Sequence, residues 1–466
     1  MSKRRNSGFN NVDLQTLSFY LGLMGIGWIM ILAASQDSSI GFEITRTAAK
    51  QGVFIGLSFA IILIISFIDW KFWRTVAYVV YAFSMLLLLA VPFLGNEVKG
   101  ATSWFIIAGF SFQPSELAKF GTCLAVASYM STYNTNLREF RHQIIAFGLI
   151  LLPMGLIMLQ PDLGSTVVFT SFLILFFREG LSSNFYIVLL TIVALFIIVL
   201  MYTPYYVILG FIMLGNFIFI FNMKNRKPWM YGFVAVAALT ILGLIFQHNY
   251  YRYIFAANLL WLPILSFLIW RNGKKELVTL LTPLLIFGGA LTYVANYTVN
   301  EVLKPHQSMR INAWLNPSKV SRDNLYNLNQ SKLAIGSGGT YGKGFLEGEM
   351  TKYNYVPENT TDFIFSTIGE EQGFIGVFGI IAIYLLFLLR ITVVAERQRS
   401  DFSRQYAYGV VGILWLHFFV NIGMTMGLVL IIGIPLPFIS YGGSSLLAFS
   451  LMIGVLLKLD SNRYSI

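Results

Sequence analysis

The residues best suited to chemistry in this chain are carboxylates, and they stand where carboxylates are expensive. Charged residues are 11% of the 466, about half the globular average. Yet YVPENTTDFIFSTIGEE, Tyr355 to Glu371, holds Glu358, Asp362, Glu370 and Glu371 and no Lys or Arg. Asp362 is followed at once by Phe363-Ile364-Phe365. Such neighbours bury a carboxylate in part, and a partly desolvated carboxylate is a better proton acceptor for general-base work. Capping of the next helix accounts for the same Asp. Glu358, four residues earlier, would share a face with Asp362 if the segment were helical.

Four other stretches carry polar groups beside apolar runs. In GATSWFIIAGFSFQPSELAK, Gly100 to Lys119, Pro114 suits the first helical position and Glu116 falls in the first turn, where the helix dipole favours an anion. Lys119 is three residues on, so a local ion pair explains the same spacing. In LQPDLGST, Leu159 to Thr166, Asp162 is either a site residue or the cap of the next helix. The run IGSGGTYGKG, Ile335 to Gly344, resembles an anion-cradling loop. It is not a nucleotide-binding P-loop, because Lys343 is followed by Gly344 rather than Ser or Thr, and a glycine-rich hinge is the plainer reading. Finally, Pro435 and Pro437 in GIPLPFISYGGSSLL, Gly433 to Leu447, predict broken helix at membrane depth, tolerated where protein or a cavity satisfies the backbone.

The elements that must position these groups are apolar helices. Hydrophobic residues are 56% of the chain, which predicts an all-α polytopic membrane protein. Apolar runs near 14–34, 52–68, 76–94, 114–130, 143–159, 162–177, 185–203, 206–222, 230–246, 254–270, 277–298, 373–390, 407–430 and 443–458 give about fourteen candidate spans. The first follows a basic head without a small-residue cleavage site and reads as retained rather than as a signal peptide. Basic clusters at Lys3-Arg4-Arg5, Arg226-Lys227, Lys274-Lys275 and Arg397-Arg399-Arg404 fall on one side, which puts both termini in the cytoplasm. The net charge of +11 is then a topological signal plus attraction to anionic lipid, not a nucleic-acid surface. Single Cys123 excludes an internal disulfide, and there is no His cluster and no nucleotide motif. The chain divides into 1–204, helices with a first outer loop; 205–276, additional spans; 277–298, one span; 299–373, a large outer loop; and 374–466, closing spans. Every motif above then sits at the outer leaflet.

Taken together, QPSELAK, QPDLGS, QSKLAIGSGGTYGKGFLEG, PENTTDFIFSTIGEEQGFIG and PLPFISYGGSS resemble the SEDS family (shape, elongation, division and sporulation), and its elongation branch more than its division branch. The resemblance covers about 1–200 and 277–466. It implies a peptidoglycan glycosyltransferase that polymerises lipid II at the outer face of the bacterial cytoplasmic membrane. It also implies a class B penicillin-binding protein, a transpeptidase, and other elongation-complex membrane proteins as partners. By motif, Asp362 is at the family's essential acid. Trp104, Glu116, Lys119, Asp162, Arg310, Ser337, Gly338, Gly339 and the neighbouring Glu358 line or shape the cavity. Lys119, Arg310 or a divalent cation (magnesium or manganese) would stabilise the leaving charge, with no other cofactor. A lipid II flippase and a non-enzymatic scaffold of the wall-synthesis complex are the alternatives. Two departures stand out: Ser103 occupies a position where the family has Arg, and the family has ten spans, so about four, within 205–276, are additional.

Overall fold

The computed structural model describes residues 12–36, 44–98, 101–107, 110–132, 135–202, 204–222, 226–245, 251–271, 275–298, 301, 305–315, 317 and 325–464. The basic head, Lys274 and most of 316–324 lie outside them. The helices α1 (Leu14–Ala34), α2 (Arg46–Phe67) and α3 (Trp70–Leu94) are followed by a small sheet, β1 (Asn96–Val98), β2 (Ala101–Ile107) and β3 (Phe110–Phe112). Then come α4 (Pro114–Met130), α5 (Phe140–Met158), α6 (Leu163–Val168) and α7 (Phe172–Arg178). The sheet is antiparallel in the order β1-β2-β3. It has no counterpart in the sequence reading, because two of its strands are only three residues long. The expected span at 162–177 is α6 and α7 joined by a 3-10 turn at Phe169–Ser171.

A second compact unit, Ser183–Val320, holds α8 (Ser183–Met201), α9 (Pro204–Phe221), α10 (Arg226–Ile245), α11 (Tyr251–Arg271), α12 (Lys275–Tyr297) and α13 (Pro305–Leu315). Within it α9 packs on α11 and α12, around Phe219, Ile220, Leu265 and Ile269. The first unit resumes with α14 (Tyr326–Ser337), α15 (Glu349–Lys352), α16 (Ile364–Glu396), α17 (Asp401–Thr425) and α18 (Gly443–Ser461).

Eight helices among the described residues are long and apolar enough to cross a membrane, and the protein is a multi-pass, all-α membrane protein. Burial sorts the helices of the first unit. In α17 and α18, 78% of the apolar window is buried, against 28% in α2 and α3 and 22% in α5. The last two helices are therefore central, and Phe67 and Phe93, 79% and 86% exposed, suit contact with lipid. Helix association in lipid rests on packing and interhelical hydrogen bonds rather than on a hydrophobic difference. The central helices accordingly carry buried polar groups, among them His417, Asn421 and Ser450.

One ion network fastens three helix ends. Asp13 caps α1, accepting from the Thr16 N–H at 2.9 Å, and also accepts from Arg390 and Arg397 of the end of α16. Arg397 continues to Asp460 of α18 at 2.8 Å, where Gln398 and Arg463 also donate. Burial alone would push the Asp13 carboxyl up, but the bonds from Arg390, Thr16 and Arg397 outweigh it and hold the carboxyl well below the usual carboxylate range. Asp13→Asn should therefore destabilise the detergent-solubilised protein by about 2 kcal/mol, less than the ~3–5 kcal/mol of a fully buried pair because both arginines reach solvent. Since the folded value is depressed, this stabilisation is complete above the unfolded value of 3.8 and is lost as pH falls through the folded one. Thermal midpoints at pH 7 and pH 3 check this: the two proteins should differ at pH 7 and by less at pH 3, which lies below the unfolded value but above the folded one, and equal midpoints at pH 7 would contradict it.

Candidate active site

Asp362 does not cap α16. The N-cap position is Phe363, without a side-chain capping bond. The segment from Tyr355 to Phe363 is a chain of turns rather than a helix, so Glu358 and Asp362 do not share a helical face. Glu358 has a positive φ of 61°, and its carbonyl accepts from the N–H groups of both Thr361 and Phe363 at 3.1 Å. Its carboxylate accepts from the Thr361 hydroxyl at 2.9 Å. Glu358 thus shapes the turn that presents Asp362.

The strip 360–362 is laced to the broken segment between α17 and α18. Tyr441 N–H donates to the Thr360 carbonyl at 2.9 Å. The Ser440 hydroxyl donates to the Thr361 carbonyl at 2.6 Å and accepts from the Leu436 N–H at 2.9 Å. Asn421 of α17, fully buried, donates both of its amide protons: one to the Asp362 carbonyl at 2.9 Å, the other to the Ile434 carbonyl at 2.8 Å. The backbone on either side of Asp362 is therefore held by hydrogen bonds. Its side chain is turned to Gly433, where a Cβ would lie 3.2 Å from an Asp362 carboxylate oxygen. The segment with the two prolines is non-helical, as expected, and α17 satisfies its Ile434 and Pro435 carbonyls through Asn421 and His417.

Glu116 and Lys119 form the local ion pair that their spacing predicts, at 2.7 Å, with Pro114 at the start of α4. The pair is buried, at 3% and 1% exposure. Lys119 Nζ also lies 3.1 Å from His417 Nε2, and His417 Nδ1 lies 3.1 Å from the Pro435 carbonyl. A carbonyl only accepts and an ammonium only donates, so one neutral tautomer, protonated at Nδ1, satisfies both. The chain Glu116–Lys119–His417–Pro435 thereby anchors the same broken segment that carries Gly433. Asp162 caps α6 through the Ser165 N–H at 2.9 Å and receives Gln113 at 2.9 Å, tying α6 to the start of α4.

The glycine run is an anchor for α16. The N–H groups of Gly342, Lys343 and Gly344 donate to the carbonyls of Gly338, Glu370 and Glu371, and the Gly339 carbonyl accepts from Phe374. Ser337 bonds back to Ala334 in α14. Gly342 and Gly373 both have positive φ and touch so closely that a Cβ on Gly373 would stand 2.2 Å from Gly342 N. Only glycine permits this contact, which kinks α16. Fully buried Glu370 fastens the loop, accepting from Lys343, from the N–H groups of Met350 and Thr351, and from the Thr351 hydroxyl. Ser337, Gly338 and Gly339 are thus packed about two turns along α16 from Asp362.

Trp104 of β2 lines a cavity of about 550 Å³ together with Thr361, the residue before Asp362, and Arg46, Lys50, Phe54 and Tyr441. Ser103 is buried beside it at 3% exposure. Arg310 is exposed on α13 of the other unit. No group of three His, Cys, Asp or Glu side chains that could hold a metal occurs among the described residues. Sequence reasoning missed His417, Asn421 and Ser440. The available signal was a polar side chain inside an apolar run, which carries functional weight in a membrane.

His417→Leu leaves Lys119 and the Pro435 carbonyl without their shared partner. It should cost about 1–3 kcal/mol of stability, whereas His417→Gln keeps a donor and an acceptor and should cost less. Thermal midpoints of the two variants check this, and equal losses would contradict a hydrogen-bonding role.

Comparison with known proteins agrees with this architecture. The sequence model of the FtsW/RodA/SpoVE family, described as a cell cycle protein, matches residues 14–216 and 208–465. The chain is 30% identical over 463 residues to the peptidoglycan glycosyltransferase RodA of Treponema pallidum, covering 98% of this chain and 100% of that one. It is 27% identical to the peptidoglycan glycosyltransferase MrdB of Escherichia coli K12, covering 97% and 94%. Among solved structures it resembles RodA of Thermus thermophilus, with a TM-score of 0.56, 21% identity and coverage of 98% and 99%. It also resembles a chain from a structure reported as structural coordination of polymerization and crosslinking by a peptidoglycan synthase complex, with a TM-score of 0.63, 23% identity and coverage of 98% and 100%. Matched along nearly its whole length, the chain belongs to the FtsW/RodA/SpoVE family, the SEDS family that its motifs resemble.

Proposed function

We propose that this protein is a peptidoglycan glycosyltransferase of cell elongation, with Asp362 as the general base. Its relatives in Treponema and Escherichia bear that enzyme name. The observation that carries the reading is the mounting of Asp362. Buried Asn421 and Ser440 fix its backbone, and its carboxylate is turned to Gly433 of the broken segment. A base gains rate only when it is held within reach of the proton it takes.

The acceptor sugar of one lipid II presents its 4-hydroxyl to Asp362. As the oxygen bonds to the anomeric carbon of the donor, the proton passes to the carboxylate. The bond from that carbon to the diphosphate oxygen breaks, and undecaprenyl diphosphate leaves with the electron pair. Displacement from the opposite face turns the α-linked donor into a β-1,4 bond. The protein works in the bacterial cytoplasmic membrane with both termini inside and Asp362 outside. It pairs with a class B penicillin-binding protein that crosslinks the strands, a reading supported by its fold likeness to a chain from a peptidoglycan synthase complex.

Purified protein given lipid II should yield polymer, and Asp362→Asn and Asp362→Ala should lose about 10²–10⁴ in rate while staying monodisperse. A folded Asp362→Ala variant with near wild-type polymerisation would overturn the assignment. A flippase would move lipid II across vesicles without making polymer, and a scaffold would do neither.

A further inference from the structure

We infer that the cavity between the start of α2, the β2–β3 hairpin and the start of α18 holds the leaving diphosphate of the lipid-linked donor, with Arg46 and Lys50 as its charge partners. This inference rests on the glycosyl-transfer reading above. A glycosyl diphosphate releases a multiply charged anion, and some fixed positive group must meet it. Lys119 is a poor candidate: it is 1% exposed and its charge is matched by Glu116 at 2.7 Å. Arg46 and Lys50 differ in both respects. They are exposed, four residues apart and so on one face of α2. Neither has a carboxylate within 4 Å among the described residues. Both line the cavity of about 550 Å³, a size suited to a small-molecule ligand.

The rest of the lining matches an amphiphile with a sugar. Going inward along α2, the two cations give way to Val53 and Phe54, and Phe54 meets Phe110 edge to face at 6.0 Å between ring centroids. An isoprenoid beginning at the second phosphate would run over that apolar wall. Free phosphate or a soluble nucleotide would gain nothing from it. Trp104 and Tyr441 also line it, and aromatic residues are the side chains on which a sugar commonly stacks. The cavity also opens on the first turn of α18, whose N-cap, Gly442, supplies no side-chain acceptor, so the dipole there adds to the positive field.

The position of the cavity is consistent with the donor rather than the acceptor. Thr361 lines it, while the next side chain, Asp362, is turned to Gly433. In an inverting displacement the attacking hydroxyl and the leaving oxygen lie on opposite faces of the anomeric carbon. The base belongs on the hydroxyl side and the cations on the other. The carbon–oxygen bond to the diphosphate breaks, its electron pair settles on the diphosphate facing Arg46 and Lys50, and the acceptor proton goes to Asp362. This also accounts for Ser103. With that position buried and uncharged, the positive charge of the site comes from α2.

The test uses the purified full-length chain, initial rates over a range of lipid II concentrations, and inhibition by undecaprenyl diphosphate, undecaprenyl monophosphate and phosphatidylglycerol. Arg46→Gln and Lys50→Gln should each lower kcat about 10-fold to 100-fold, less than the ~10²–10³ of a lost buried transition-state donor because both cations are exposed, with Arg46→Lys losing less. The wild type should be inhibited by the diphosphate far more than by the monophosphate, and the double variant should lose that preference. Both residues are exposed, so monodispersity should be unchanged. Wild-type kcat in the double variant, a rise in KM alone, or equal inhibition of the wild type by phosphatidylglycerol would overturn the proposal. Absence of polymer from the wild type would instead sink the glycosyltransferase reading itself.

Discussion

One buried amide ties the site together. Asn421 spends both of its protons on backbone carbonyls, one from the turn that carries Asp362 and one from the broken segment before α18. Neither segment is regular, and a carbonyl without a partner in a membrane interior costs several kcal/mol. A side chain that satisfies both at once makes the two irregular segments a single object. Ser440 and Tyr441 repeat the device on either side. The result is a carboxylate whose backbone is over-determined although it lies in a chain of turns, where precision is hardest to obtain.

The remaining charges of the first unit are allocated by burial. Four deep carboxylates are matched: Glu116 with Lys119, Glu370 with Lys343 and three further donors, Asp13 and Asp460 with three arginines; Glu371, equally buried, has no ion pair among the described residues. Each matched group fixes a helix end or a loop, because breaking such a pair leaves an uncompensated charge in low dielectric. Arg46 and Lys50 are exposed, line the cavity beside Trp104 and form no ion pair among the described residues. Buried pairs build the frame, whereas the cations beside Trp104 are exposed.

Much of this was legible in the sequence. Runs of about twenty apolar residues set the helices, Pro435 and Pro437 marked the broken segment, and the spacing of Glu116 and Lys119 foretold their pair. The carboxylate-rich turn before α16 stood out because it lacked cations. Other features depend on contacts that no local pattern encodes. Asn421 acquires its meaning from residues 59 and 13 positions away. His417 acquires its meaning from Lys119, 298 positions away. The glycine run looks like an anion cradle in isolation, and only its bonds to the Gly338, Glu370 and Glu371 carbonyls show that three of its N–H groups are already engaged. The hairpin around Trp104 is too short for its alternation to rise above the apolar background.

The central claim is that the frame exists to place Asp362, and a double-mutant cycle tests it most directly. Polymerisation rates of wild type, Asn421→Ala, Asp362→Asn and the double variant would be compared on folded, monodisperse protein. If Asn421 acts by holding the base, its loss matters only while the base is present. Asn421→Ala should then slow the wild type and leave the Asp362→Asn variant no slower than before. Independent effects that multiply in the double variant would contradict the account.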